Sequence, residues 1–165
     1  MDNINDIIKE NTLNTFKGKV DNDKLEKFIQ SMPDYGFKDG LLIPSNDSQL
    51  LSAKASIKMF LFYGEISCFE VEGYRSTFSQ KIWGLGAGGF DAVAGGIYNA
   101  YEGNNWPYFF RQAAYAHAQG AAGTVGVIQI TWFDNNKTPI GQYNGAAVGA
   151  GAFEVGCDGH WNVND

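Results

Sequence analysis

Histidine and cysteine, the side chains that most often carry metal-bound, nucleophilic or acid–base chemistry, occur only twice each in this 165-residue chain: His117, His160, Cys68 and Cys157. Two cysteines fall far short of a disulfide scaffold and match no metal-ligand spacing. Free, buried thiols are the expectation, with one bridge open only if the two strands are neighbours. Basic residues are also few, 12 against 18 acidic, for a formal net charge of -6 and a pI near 4.8. That balance excludes the basic stripe of a nucleic-acid binder and sets the chain against an acidic membrane surface. Long apolar runs are missing too. The most apolar stretch, residues 56–69, is broken by Lys58, Gly64 and Glu65, well short of the roughly 20 residues of a transmembrane segment, so a soluble protein is expected. The opening MDNINDIIKENTL has no basic start and no unbroken apolar stretch, so no secretory signal is expected in it, and export would take another route. The length suits one core with an appendage.

What is present divides sharply along the chain. Residues 1–81 hold 10 of the 12 basic and 12 of the 18 acidic side chains, and 18 of the 21 glycines lie from Gly64 onward. In the first part, Ile4, Ile7 and Ile8 have helical spacing, but Asn11 and Thr12 fall where the stripe should continue and Leu13 lies off it, a weak amphipathic helix. Asp21, Asn22 or Asp23 can cap a better one over 24–32, with Leu25, Phe28, Ile29 and Met32 on one face and Pro33 stopping it. Helices this short need something to dock on. Residues 31–48, rich in Pro, Gly, Asp and Ser, read as turn and loop.

From Leu50 the pattern turns to strands. Residues 56–64 and 66–73 read as two strands able to pair antiparallel. Residues 126–133 and 139–143 flank a polar connection of hairpin length, Asp134 to Thr138. In Ala114-Tyr115-Ala116-His117-Ala118-Gln119 alternate positions are alanine, so one strand face is nearly flat and something must press on it. Residues 146–156 form a second such run, of Gly and Ala. Glycine weakens a strand unless tight bending or close backbone approach requires it, and both arise where a sheet closes on itself. Asn104 or Asn105 as cap and Pro107 in the first turn place one short helix before Arg111 and Gln112, where it would plug or brace the barrel.

The ordered series GLGAGGFDAVAGGIYNAY, short helix, ITWFDNNKTPIGQY hairpin and GAAVGAGAFEVGCDGHW resembles the virulence-associated (Vap) protein family of Rhodococcus, over about Ser56 to Trp161. The resemblance implies a mainly β fold with N-terminal helices: a compact, closed antiparallel barrel of about eight strands with one short inserted helix in residues 51–165, after a polar helical or partly disordered arm in residues 1–50. It further implies a role in survival inside macrophages, and no enzymatic active site. Those proteins carry a secretory signal and none is read here, so delivery by a type VI or similar contractile apparatus is expected.

Several motifs admit other chemistry. Gly84 to Gly89 satisfies G-x-G-x-x-G, and Glu102 lies at about the distance of a ribose-binding acid. The glycine run, however, opens no good helix, and Glu102 lies in a turn. Cys157, Asp158 and His160 are nucleophile-type residues, but adjacent strand positions point to opposite faces. Glu65, Glu70 and Glu72 read as a solvated outer face. The 4 Trp, 12 Phe and 8 Tyr chiefly build the core. The chain is therefore read as a non-enzymatic virulence effector, with no catalytic, cofactor or metal residues. It would be secreted or translocated into a host cell without a signal peptide, and would modulate host-cell responses through protein or membrane-associated interactions, its partner an unknown host protein or secretion-system component. A lipocalin-like carrier would need a lined cavity instead of a filled barrel. An enzyme of unrecognised type would need His117 or His160 to meet a carboxylate in a cleft.

Overall fold

The structure is a computed structural model that describes residues 4–39, 41–44, 50–120, 126–147 and 153–163. Two helices lead, α1 (Ile4–Phe16) and α2 (Asn22–Gln30). Asp21 is the cap of α2, its Oδ1 accepting from the N–H groups of Asp23 and Lys24 at 3.1 and 3.2 Å, which satisfies two orphan donors of the first turn. The following stretch, expected as loop, contains a hairpin, β1 (Tyr35–Lys38) and β2 (Leu41–Pro44). Its Gly, Pro and Asp residues hide the strand signal, while Tyr35 and Leu42 are buried with Ile8 and Phe28 of the helices.

Six more strands form one antiparallel sheet: β3 (Leu50–Phe69), β4 (Phe78–Asn99), β5 (Tyr115–Gly120), β6 (Gly126–Phe133), β7 (Pro139–Ala147) and β8 (Phe153–Asp158), ordered β3-β4-β7-β6-β5-β8. The two runs expected as separate strands are one strand, β3, bent double. Lys54 Nζ and Glu70 Oε2 lie 3.0 Å apart, and Glu72 N–H donates to the Ser52 carbonyl at 2.9 Å. A straight strand would separate Lys54 from Glu70 by about 50 Å. The bend falls at Leu61 (φ 53), where the register with β4 shifts between Leu61 and Tyr63, and a second irregularity, at Ala92 of β4 (φ 50), lies opposite the shift between Ala55 and Ile57. Positive φ at Glu70 (φ 51) ends β3 before the expected boundary at residue 73.

Bending lets β4 serve both ends of the sheet. Gly95 to Asn99 pair with β7, while Thr77, just before β4, exchanges two backbone hydrogen bonds with Asn162 beyond β8, at 3.0 and 2.7 Å. The sheet thereby curls into a nearly closed barrel, six strands with two of them doubled. The run expected as a single strand over 146–156 contributes the end of β7 and the start of β8, and residues 148–152 lie outside the described residues.

The alternation in β5 has its cause in the packing. Ala114, Ala116 and Ala118 face the core, where Trp132, Phe78, Ile66 and Ile130 fill the interior, while Tyr115, His117 and Gln119 face outward. Helix α3 (Trp106–Gln112) plugs one end, capped by Asn105, whose Oδ1 accepts from Tyr108 N–H at 3.1 Å. Its buried Phe109 meets Trp132 edge-on at 5.9 Å, and Phe110 meets Trp161 at 4.8 Å.

Close strand approach explains Gly95. A Cβ there would strike the Asn144 carbonyl oxygen and come within 2.9 Å of the Gly145 Cα. Gly95→Ala should cost about 1–3 kcal/mol through overpacking, read as a lower urea midpoint. Gly103→Asn, at an open turn with φ +73, should change stability by no more than about 0.5 kcal/mol, because Asn tolerates that conformation.

Candidate functional site

The chemistry-bearing side chains converge on the seam where α1 crosses the outer face of β5, β6, β7 and β8. Ile8, Thr12 and Phe16 form the buried stripe of α1, one turn apart, with Asn5 beside it. Thr12 is a polar flaw in that stripe, and the barrel beneath it is polar in return. Gln129 and Thr131 on β6 lie opposite Asn144 and Gln142 on β7. Gln129 Nε2 lies 3.1 Å from the Ile8 carbonyl, 3.2 Å from Thr12 Oγ1 and 3.0 Å from Asn144 Oδ1. Gln142 Nε2 donates to Thr12 Oγ1 at 3.1 Å and to Thr131 Oγ1 at 2.9 Å. Buried amides are tolerable only when partnered this fully, and such a network then fixes one docking geometry.

At the next turn of α1, Phe16 meets the His117 imidazole edge-on, centroids 5.1 Å apart. His117 Nε2 donates to Glu154 Oε1 at 3.0 Å, and Lys19 Nζ lies 3.5 Å from the same oxygen. Thus a histidine does meet a carboxylate here, between two grooves of about 560 and 550 Å³, the first lined by Asn11, Gln119 and Phe153, the second by Phe16, Tyr115 and Lys137. With the Nε2 proton committed to Glu154, the basic lone pair is on Nδ1. That nitrogen is buried without a hydrogen-bond partner among the described residues, a poor position for a general base.

Burial lowers the His117 pKa from its ordinary value, outweighing the Glu154 hydrogen bond and charge that raise it. Burial is the largest single influence on Glu154 and raises its pKa, but the His117 hydrogen bond and charge and the Lys19 ammonium together outweigh it and hold the carboxyl below the usual range. A neutral His117 still supplies the hydrogen bond. The unfolded chain therefore takes up the His117 proton at higher pH than the folded one, so stability is level above about pH 6.5 and falls as pH drops below it. Glu154 adds to the loss below its ordinary carboxylate pKa. Urea midpoints should decline from pH 7 to pH 5, and His117→Gln, whose amide can keep the Glu154 bond, should flatten that decline.

The remaining candidates are scattered. Cys157 lies opposite Ala116 on the core side of β8, while His117 faces outward, and His160 Nδ1 is bonded to the Ala113 carbonyl at 3.0 Å. Burial, with Asp158 nearby, pushes the Cys157 thiol up to about 11, opposite to an activated nucleophile. Cys68, on β3, is also a free, buried thiol. Glu65 accepts from Ser67 and Ser79, and Glu70 and Glu72 close the β3 bend. The glycine run 84–89 lies within β4, which continues to Asn99, and Glu102 sits in a 3-10 turn. Among the described residues no three His, Cys, Asp or Glu side chains gather as metal ligands, and no helix is long and apolar enough to cross a membrane. The one sequence signal for the glutamine and asparagine network is that Gln129 and Thr131, and Gln142 and Asn144, repeat with strand period.

A sequence model described as Rhodococcus equi virulence-associated protein matches residues 2–162, so the likeness runs through the helical arm as well as the barrel. Two solved structures are similar. The virulence-associated protein VapB of Rhodococcus equi superposes with TM-score 0.55 at 18% identity, covering 70% of this chain and 97% of that one. VapD of the same organism gives TM-score 0.54 at 16% identity, covering 68% and 96%. No curated protein sequence matches.

Proposed function

We propose that this chain, which belongs to the Rhodococcus equi virulence-associated protein family, is a non-enzymatic virulence effector that modulates host-cell responses by binding. The observation that carries this reading is the state of the candidate reactive groups. The second His117 nitrogen is buried without a hydrogen-bond partner among the described residues, the Cys157 thiol is held protonated, and His160 is tied to backbone. The filled interior favours binding at the outer surface over a lipocalin-like cavity. The second reading, an enzyme, draws on the His117–Glu154 pair, whose carboxylate is exposed between the two grooves. Delivery by a type VI-like apparatus is part of the proposal, and a donor strain lacking that apparatus should retain the chain. The role itself is tested by deleting the gene and counting bacteria surviving in macrophages. Survival should fall and return with the wild-type chain; unchanged survival on deletion would remove the virulence role.

A further inference from the structure

The bend of the β3–β4 ribbon carries a patch that the function above does not use. Phe60, Leu61, Phe62 and Tyr63 run across the kink, and Trp83 lies opposite Tyr63 on β4. These side chains face solvent, with exposures of 80 % for Trp83, 69 % for Leu61, 66 % for Phe62, 56 % for Phe60 and 51 % for Tyr63. The rings of Phe60, Tyr63 and Trp83 stand in a row, successive centroids 5.6 and 6.3 Å apart. At about 150–250 Å² per large ring, the exposed fractions amount to roughly 600 Å², the upper end of what a monomer leaves open.

Exposure, grading and charge choose the partner. The patch sits on the bend, where a Cβ at Gly64 would strike the Lys58 carbonyl, and each of its five side chains is at least half exposed. Away from the apex the cross-strand pairs pass from Tyr63/Trp83 to Glu65/Lys81 to Ser67/Ser79, and on the other limb Phe60 gives way to exposed Lys58. Apolar tip, Trp and Tyr at its margin, then charge and hydroxyl, follow the polarity gradient of a bilayer interface. Glu65 cancels one of the two flanking lysines, and the whole chain carries -6, which suits a neutral surface and opposes an anionic one. We propose that this apex inserts into the headgroup–acyl boundary of a zwitterionic bilayer, independently of the reading above.

The test is flotation of the full-length protein with phosphatidylcholine vesicles, with and without added phosphatidylserine. The other three tryptophans are buried, so a blue shift of emission on vesicle addition reports Trp83, and Trp83→Phe should abolish it. The double variant F60S/F62S should keep the wild-type circular dichroism and lose about tenfold or more in vesicle affinity. Phosphatidylserine should leave binding unchanged or weaken it. No flotation of the wild type with phosphatidylcholine, equal flotation of the double variant, or binding only with phosphatidylserine would overturn the proposal. A concentration-dependent dimer that F60S/F62S dissolves, found in place of flotation, would assign the apex to a second copy and overturn it equally.

Discussion

Trp132→Ala is expected to lower the unfolding free energy by about 3–5 kcal/mol, the cost of emptying a large aromatic site in a core that cannot fully collapse. Trp132 is fully buried and meets Phe78 at 5.7 Å, Phe109 at 5.9 Å and Trp161 at 5.1 Å. It therefore joins β6 to β4, to the α3 plug and to the C-terminal tail that closes the barrel. Native domains have only about 5–15 kcal/mol in hand, so the variant should melt roughly 10 °C lower, and closer to unfolding than any surface change. Trp132→Phe should cost much less. Its indole N–H has no hydrogen-bond partner among the described residues, so the smaller ring gives up contact area without stranding a polar group.

Gln129→Ala should cost about 2–4 kcal/mol, since each buried partner left unsatisfied is worth about 1–3 kcal/mol. The truncation strands Asn144 Oδ1 and the Gln119 amide Nε2, which donates to Gln129 Oε1 at 2.6 Å, and leaves Thr12 Oγ1 with Gln142 and the Ile8 carbonyl alone. The loss should be local in kind. Amide hydrogen exchange should speed up across residues 8–16 of α1 while β6 and β7 keep much of their protection, because interior residues such as Trp132 and Tyr143 are untouched. Thr12→Val should reproduce part of this pattern by removing the acceptor on the helix side.

That seam also shows what the sequence discloses and what it withholds. The alanine alternation at 114–118, the 126–133/139–143 hairpin and the Asn-capped α3 are each legible, because their signals are local and their packing partners generic. The ordered glycine-rich segments disclose the family. Thr12, by contrast, reads alone as a fault in a weak helix, and Gln129, Thr131, Gln142 and Asn144 read alone as a solvated barrel face. Only their meeting makes both sensible, and no local pattern encodes a contact between residues more than a hundred positions apart. The same holds for the β3 bend. Lys54 and Glu70 look like ordinary exposed charges, and Gly64 like a break between two strands, until the fold sets them against their partners. The His117–Glu154 pair was foreseeable only as a condition, since β5 and β8 must be neighbours for it to form.

On the proposed function this chain acts by binding, and His117, His160 and Cys157 serve structure alone. The most direct measurement is macrophage survival of a gene-deleted strain complemented with the triple variant His117→Gln, Cys157→Ser, His160→Gln, compared with the wild-type chain at equal protein level. The account predicts equal survival, because each substitution keeps size and hydrogen bonding while removing the nucleophile and both titratable bases. Loss of survival with a triple variant that is folded by circular dichroism and present at wild-type amount would contradict it.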